Sequence, residues 1–124
     1  MEHGIPSSMY REHILELYKS PSNFGILENA TSEATEYNSI CGDEITVQLI
    51  IKNNRISDIK FYGSGCVISL VSSSLLTNKL KGMKIKDIMK LEKKDILKLL
   101  KIPIISSRIK CALLPIQATK KALK

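Results

Sequence analysis

The apolar spacing of this chain changes once, and that change limits the fold more than any other feature. Ile45, Val47, Leu49 and Ile51 alternate with polar residues, and Ile59 and Phe61 continue on one face of a second run. That period of two is the mark of a half-buried strand. Asn53-Asn54 separates the runs, and asparagine tolerates the left-handed backbone that a tight hairpin needs. Glu33 to Ser39 reads as a further strand. From Gly65 onward the spacing is helical, with Val67, Leu70, Val71 and Leu75, then Asn78 and Lys79, following one helix. The expectation is an α+β fold: a three-stranded antiparallel sheet with one buried face, and helices packed on that face.

A first helix is predicted over Ser8–Lys19. Tyr10, Ile14, Leu17 and Tyr18 share its apolar face, Ser8 is the N-cap, and Pro21 and Gly25 form the loop that ends it. Gly82 supplies a stop for the helix after Gly65. Short helices are expected at Lys84–Leu91 and Lys93–Lys101, before Pro103. The segment Ser107–Lys124 is helical in composition but contains Pro115. A proline in a helix interior costs about 3 kcal/mol. The helix is therefore expected to kink there, or to begin late enough to hold Pro115 in its first turn.

At 124 residues the chain is one domain, 1–124, with residues 1–8 a flexible N-terminus. A chain of that size buries roughly two-thirds of its unfolded surface. With two Phe and no Trp, the core must be aliphatic. No apolar run approaches the ~20 residues that span a bilayer, and Met1–Pro6 lacks the features of a secretory signal. A cytoplasmic location is expected, where free thiols persist. Residues 1–78 carry five Lys/Arg against nine Asp/Glu, a balance of −4, and residues 79–124 carry fourteen against three, a balance of +11. The basic residues are almost all lysines spread along helical faces with few aromatics to stack bases. They read as a solvated face, ahead of a nucleic-acid-binding module.

Three cysteines, Cys41, Cys66 and Cys111, carry the chemistry. An odd count cannot pair off into disulfides. Cys41 and Asp43 flank Gly42 in the loop before the first long strand. Cys66 closes Gly63-Ser64-Gly65-Cys66 at a helix start, where the helix dipole favours a thiolate. The two glycines there leave room for a metal or sulfur species. Cys111 follows Arg108-Ile109-Lys110 in or near the first turn of the last helix. Three thiols and a carboxylate make four donors, the number that a tetrahedral zinc or a cluster requires. Each element also has a plain alternative. A lone cysteine is usually a small buried hydrophobe, Gly-Ser-Gly is usually a turn, and no Cys-x-x-Cys pair is present. His13 lies among charged residues and reads as a surface side chain.

Three motifs in order carry a family resemblance. Tyr10-Arg11-Glu12 through Leu17-Tyr18-Lys19-Ser20-Pro21-Ser22-Asn23-Phe24-Gly25 resembles the opening of the iron–sulfur cluster assembly scaffold family, the IscU, SufU and NifU N-terminal-type proteins. Cys41-Gly42-Asp43-Glu44 resembles its first ligand motif, and Gly63-Ser64-Gly65-Cys66-Val67-Ile68-Ser69, followed by Ser72-Ser73-Ser74 and Lys81-Gly82, its second. Arg108-Ile109-Lys110-Cys111-Ala112 resembles its third. The resemblance runs from Tyr10 to Lys124. It implies a scaffold or carrier rather than an enzyme, one that accepts persulfide sulfur from a cysteine desulfurase. Such a scaffold assembles a transient [2Fe-2S] cluster and passes it to recipient apoproteins.

On that resemblance Cys41, Asp43, Cys66 and Cys111 are the ligands. Cys111 is the favoured persulfide acceptor, with Arg108 and Lys110 supporting it. A carboxylate is a harder ligand than thiolate, so Asp43 should hold a cluster loosely. Two departures stand out. Lys110 occupies the position of the histidine found in IscU-type members, as in SufU-type members, yet only forty-four residues separate Cys66 from Cys111, close to the IscU length. The alternative is therefore a SufU-like zinc-dependent sulfurtransferase using the same four residues. Ile104-Ile105-Ser106-Ser107-Arg108 replaces the Leu-Pro-Pro-Val-Lys segment that IscU members offer to an Hsp70-type chaperone, which puts that partner in doubt.

Overall fold

The computed structural model describes residues 7–40 and 42–124, with side chains described from Arg11 onward. Residues 1–6, most of the expected flexible N-terminus, and Cys41 lie outside the described residues. The chain runs α1 (Ser7–Lys19), β1 (Ser32–Asn38), β2 (Asp43–Lys52), β3 (Arg55–Ser64), α2 (Val67–Leu80), α3 (Ile85–Ile88) and α4 (Lys93–Leu100). A 3-10 turn (Ser106–Arg108) then leads into α5 (Ile109–Ala122).

The sheet is antiparallel in the order β1-β2-β3. Asn53 and Asn54 join β2 to β3 with φ of 54° and 61°, the double left-handed turn that suits the twist of two strands. Ile45, Val47 and Leu49 of β2 and Ile59 and Phe61 of β3 are fully buried beneath Leu76, Leu80, Leu114, Ile116 and Ala118 of α2 and α5. The helices thus cover one face, as the period of two requires. The other face is not left to water throughout. Thr46 and Gln48 are also buried, because Phe24 bridges to Phe61 at the free edge of β3 and the Leu27 N–H donates to Gln48 Oε1 at 2.8 Å.

Helix α2 departs most from its expected pattern. Val71 is buried and Asn78 and Lys79 are exposed, but Ser69, Ser72, Ser73, Ser74 and Thr77 are buried as well. The helix lies inside the molecule, so small side chains that return their hydroxyls to backbone serve better than an apolar stripe. Ser73 donates to the Ser69 carbonyl at 2.8 Å and Thr77 to the Ser73 carbonyl at 2.7 Å. Ser72 reaches across to the Ala112 carbonyl at 2.6 Å and pins the start of α5 against α2.

Three local expectations are corrected. Helix α1 begins at Ser7, so Ser8 lies within it rather than capping it. Tyr18 is exposed and Ile14 and Leu17 are buried, while the side chain of Tyr10 lies outside those described. Asp43 is the first residue of β2, not a loop residue. Of the two alternatives expected for α5, a kink at Pro115 or a late start that holds Pro115 in the first turn, the helix shows no late start. It begins at Ile109 and runs through Pro115, which is buried. Having no N–H, Pro115 cannot make the helical bond back to the Cys111 carbonyl. Of the two short helices, α3 is shorter than expected. α4 is closed by a capping box between Glu92 and Asp95 and by Lys101 in the left-handed region.

Candidate metal centre

Register and helix packing bring distant residues to one end of the sheet. Asn38, the last residue of β1, pairs with Asp43, the first of β2, and Glu44 pairs with Ser64, the last of β3. Cys66 follows two residues later as the N-cap of α2. The start of α5, held by Ser72, carries Cys111 to the same end. Asp43 shares the inward face of β2 with Ile45 and Val47, so its carboxyl points toward the helices and is 3% exposed.

Ligand atoms of Asp43, Cys66 and Cys111 all lie within 4.8 Å of one another. The expected convergence therefore holds for three of the four predicted ligands, and Cys41 lies outside the described residues. Gly42, beside it, has φ of +78°, a left-handed turn that glycine adopts at little cost. Cys66 is half-buried, whereas Cys111, the expected persulfide acceptor, is buried completely. Arg108 and Lys110 are exposed.

The Asp43 carboxylate is held on one side only. Its Oδ1 accepts the Cys66 N–H at 3.2 Å, placing negative charge at the start of α2 where the helix dipole favours it. Its Oδ2 is buried with no hydrogen-bond partner among the described residues. A buried carboxylate oxygen left unpaired is costly, and a cation shared with two nearby sulfurs would satisfy it. The donor set thus fits a thiophilic metal: two sulfurs and one oxygen, close enough to share one ion.

The two glycines before Cys66 play different parts from the one expected. At Gly63, with φ of +141°, a Cβ would fall 2.0 Å from the Glu44 carbonyl oxygen. Its bareness serves the sheet, not the site. At Gly65 a Cβ would fall 2.1 Å from Ser69 Oγ and 3.4 Å from the Asp43 carboxyl carbon. That space is taken by the ligand and its neighbour rather than kept for a bulky group. Sequence reasoning missed Ser69 and Asn38. Ser69 donates to the Cys66 carbonyl at 3.1 Å. Asn38 is buried and its amide nitrogen lies 3.8 Å from Cys111 Sγ. Its position at a strand end three residues before Cys41 is the one signal that could have found it.

A three-stranded sheet with a candidate metal-donor cluster at the strand ends is the frame in which the chain's relatives are found. Residues 9–124 match the NifU-like N terminal domain, and the chain belongs to that family. It is 35% identical over 132 residues to the iron-sulfur cluster assembly scaffold protein IscU of Thermotoga maritima, covering 94% of this chain and 93% of the relative. It is 35% identical over 86 residues to the zinc-dependent sulfurtransferase SufU of Bacillus subtilis, covering 69% of this chain and 58% of that protein. The match to the two Archaeoglobus fulgidus scaffold proteins IscU 1 and IscU 2 spans only 54% of their length. Among solved structures, FiSufU of Fervidobacterium islandicum, a candidate iron-sulfur cluster assembly scaffold for the SUF system, superimposes with a TM-score of 0.77 at 27% identity, over 96% of this chain and 100% of that one. Among the described residues no helix is long and apolar enough to cross a membrane.

Proposed function

We propose that this chain is a scaffold for iron–sulfur cluster assembly that accepts sulfur from a cysteine desulfurase and hands a labile cluster to apoproteins in the cytoplasm. One observation supports this above the others: the buried Oδ2 of Asp43, without a partner among the described residues, beside the sulfurs of Cys66 and Cys111. A metal shared with the two sulfurs would satisfy that oxygen. Cys41, Asp43, Cys66 and Cys111 are the proposed ligands, and the cluster is the cargo.

Sulfur transfer to Cys111 is redox-neutral. Its thiolate attacks the outer sulfur of the desulfurase persulfide, a new S–S bond forms at Cys111, and the desulfurase cysteine leaves as thiolate. Arg108 and Lys110 precede the acceptor and are its proposed supporting cations. Because Cys111 is fully buried, the step requires whatever covers its sulfur to move aside. A second reading, a zinc-dependent sulfurtransferase, is favoured by Lys110, which supplies no donor and leaves a single set of four. The test is to incubate the protein anaerobically with desulfurase and cysteine, locate the sulfur by peptide mass, then add iron. A scaffold gains one sulfur on Cys111 and then the visible absorption of a cluster. Sulfur uptake with stoichiometric zinc and no cluster would favour the second reading, and no sulfur uptake would exclude both.

A further inference from the structure

Asn38 makes three hydrogen bonds, two within the connection from β1 to β2 and one to a residue far along the chain. Its backbone carbonyl accepts the Gly42 N–H at 2.8 Å, closing that connection. Its side-chain Oδ1 accepts the Ile40 N–H at 3.2 Å. Its Nδ2 donates to Cys111 Sγ at 3.8 Å, across seventy-three residues of sequence. The second bond fixes the third. An asparagine amide can be turned either way, but only an oxygen accepts from Ile40, so the NH₂ must face the sulfur. The side chain is 8% exposed, and cross-strand pairing with Asp43 sets it on the inward face.

We propose that Asn38 is a positioning residue for Cys111, aiming its sulfur at the metal site and tying it to Ile40 and Gly42 in the connection from β1 to β2. This rests on the metal-site reading above. Sulfur accepts hydrogen bonds through the same lone pairs that bind metal, so an N–H at one lone pair directs another toward Asp43 and Cys66. The same bond lowers the energy of the sulfur lone pairs and so moderates the strength of the thiolate–metal bond. Because Oδ1 holds Ile40, a shift of the Cys111 sulfur is passed to the turn next to Cys41. Outer partners of this kind are worth about 10–100-fold in metal affinity.

Cobalt(II) is the probe, with Asn38→Ser and Asn38→Ala compared against wild type. A serine still accepts a hydrogen bond from the residue two ahead but is too short to reach the sulfur. Alanine loses both contacts. Both variants should bind cobalt about 10–100-fold more weakly and should move the thiolate-to-cobalt charge-transfer band to lower energy. Only Asn38→Ala should also raise hydrogen exchange at the Ile40 amide. In metal-free protein, Cys111→Ala should shift the side-chain amide resonances of Asn38. Weaker binding with an unmoved band and a parallel loss of thermal stability would mean a merely structural role and would overturn the proposal. Wild-type band position and affinity in both variants would overturn it too. Failure of the wild type to bind cobalt, while Cys111→Ala still shifts the Asn38 resonances, would sink the metal-site reading and leave the Asn38–sulfur contact standing. Without that shift, the contact itself falls.

Discussion

Asp43 gives one carboxylate oxygen to the Cys66 N–H at 3.2 Å and keeps the other buried without a partner among the described residues. Leaving such an atom unsatisfied costs about 1–3 kcal/mol. In the metal-free protein, Asp43→Asn should therefore raise stability by about 1 kcal/mol, since it keeps the bond from Cys66 and removes an unpaired buried charge. Urea unfolding in the presence of chelator measures this, and a loss of stability would show that Oδ2 is already satisfied. Bound cluster should respond in the opposite sense to the strength of each donor. Asp43→Ala removes the labile oxygen and should lengthen cluster retention several-fold during transfer to an apo-ferredoxin. Cys66→Ser and Cys111→Ser remove thiolates and should abolish retention. Faster decay in Asp43→Ala would contradict the labile-ligand role.

At the end of β3 and just beyond it, two glycines two residues apart divide fold from function. Gly63→Ala would drive a Cβ into the Glu44 backbone at a φ of +141°, which should cost more than about 2 kcal/mol whether or not metal is present. Gly65→Ala meets Ser69 Oγ and the Asp43 carboxyl instead. It should fold, lose about tenfold in cobalt affinity, and recover part of that when Ser69→Ala removes the nearest atom. Cobalt titration alongside thermal unfolding separates the two, and equal stability losses at both positions would refute the division. The elements themselves were legible because the alternation of Ile45, Val47 and Leu49 and the Asn53-Asn54 turn are local signals. The inward serines of α2 were not, since nothing in Ser72-Ser73-Ser74 says that α5 will press on them. Tyr18 misled for the same reason: tertiary packing decides whether an aromatic is covered. The metal donors were visible as residue types in motifs, whereas Asn38 joins the site only through register and helix packing.

Over the whole molecule the charge along the chain is uneven, −4 over residues 1–78 and +11 over residues 79–124. Arg55, Lys84 and Lys86 line an open cleft at the Asn53-Asn54 turn, at the opposite end of the sheet from Asp43. Charge on that surface is screened by salt, while a buried donor set is screened far less. Cobalt affinity should accordingly be almost insensitive to ionic strength, and a steep fall would place the metal on the surface instead. Lys110, at the mouth of the last helix, separates the two functional readings. A protonated amine cannot bind metal, so Lys110→His adds a donor. In a scaffold it should leave sulfur uptake intact and hold cluster at least as well. In a zinc sulfurtransferase it should compete with Asp43 and slow transfer with no gain in cluster. Unchanged behaviour in both assays would show that position 110 is neutral.

The most direct measurement of the central claim is X-ray absorption at the metal edge of the anaerobically loaded protein, compared with its Asp43→Ala variant. One site built from Cys41, Asp43, Cys66 and Cys111 predicts three sulfurs and one light-atom ligand from the protein. Sulfur distances should be near 2.3 Å if zinc is bound, and the light-atom shell should be lost in Asp43→Ala. An unchanged shell in that variant, or a first shell without sulfur, would contradict the account.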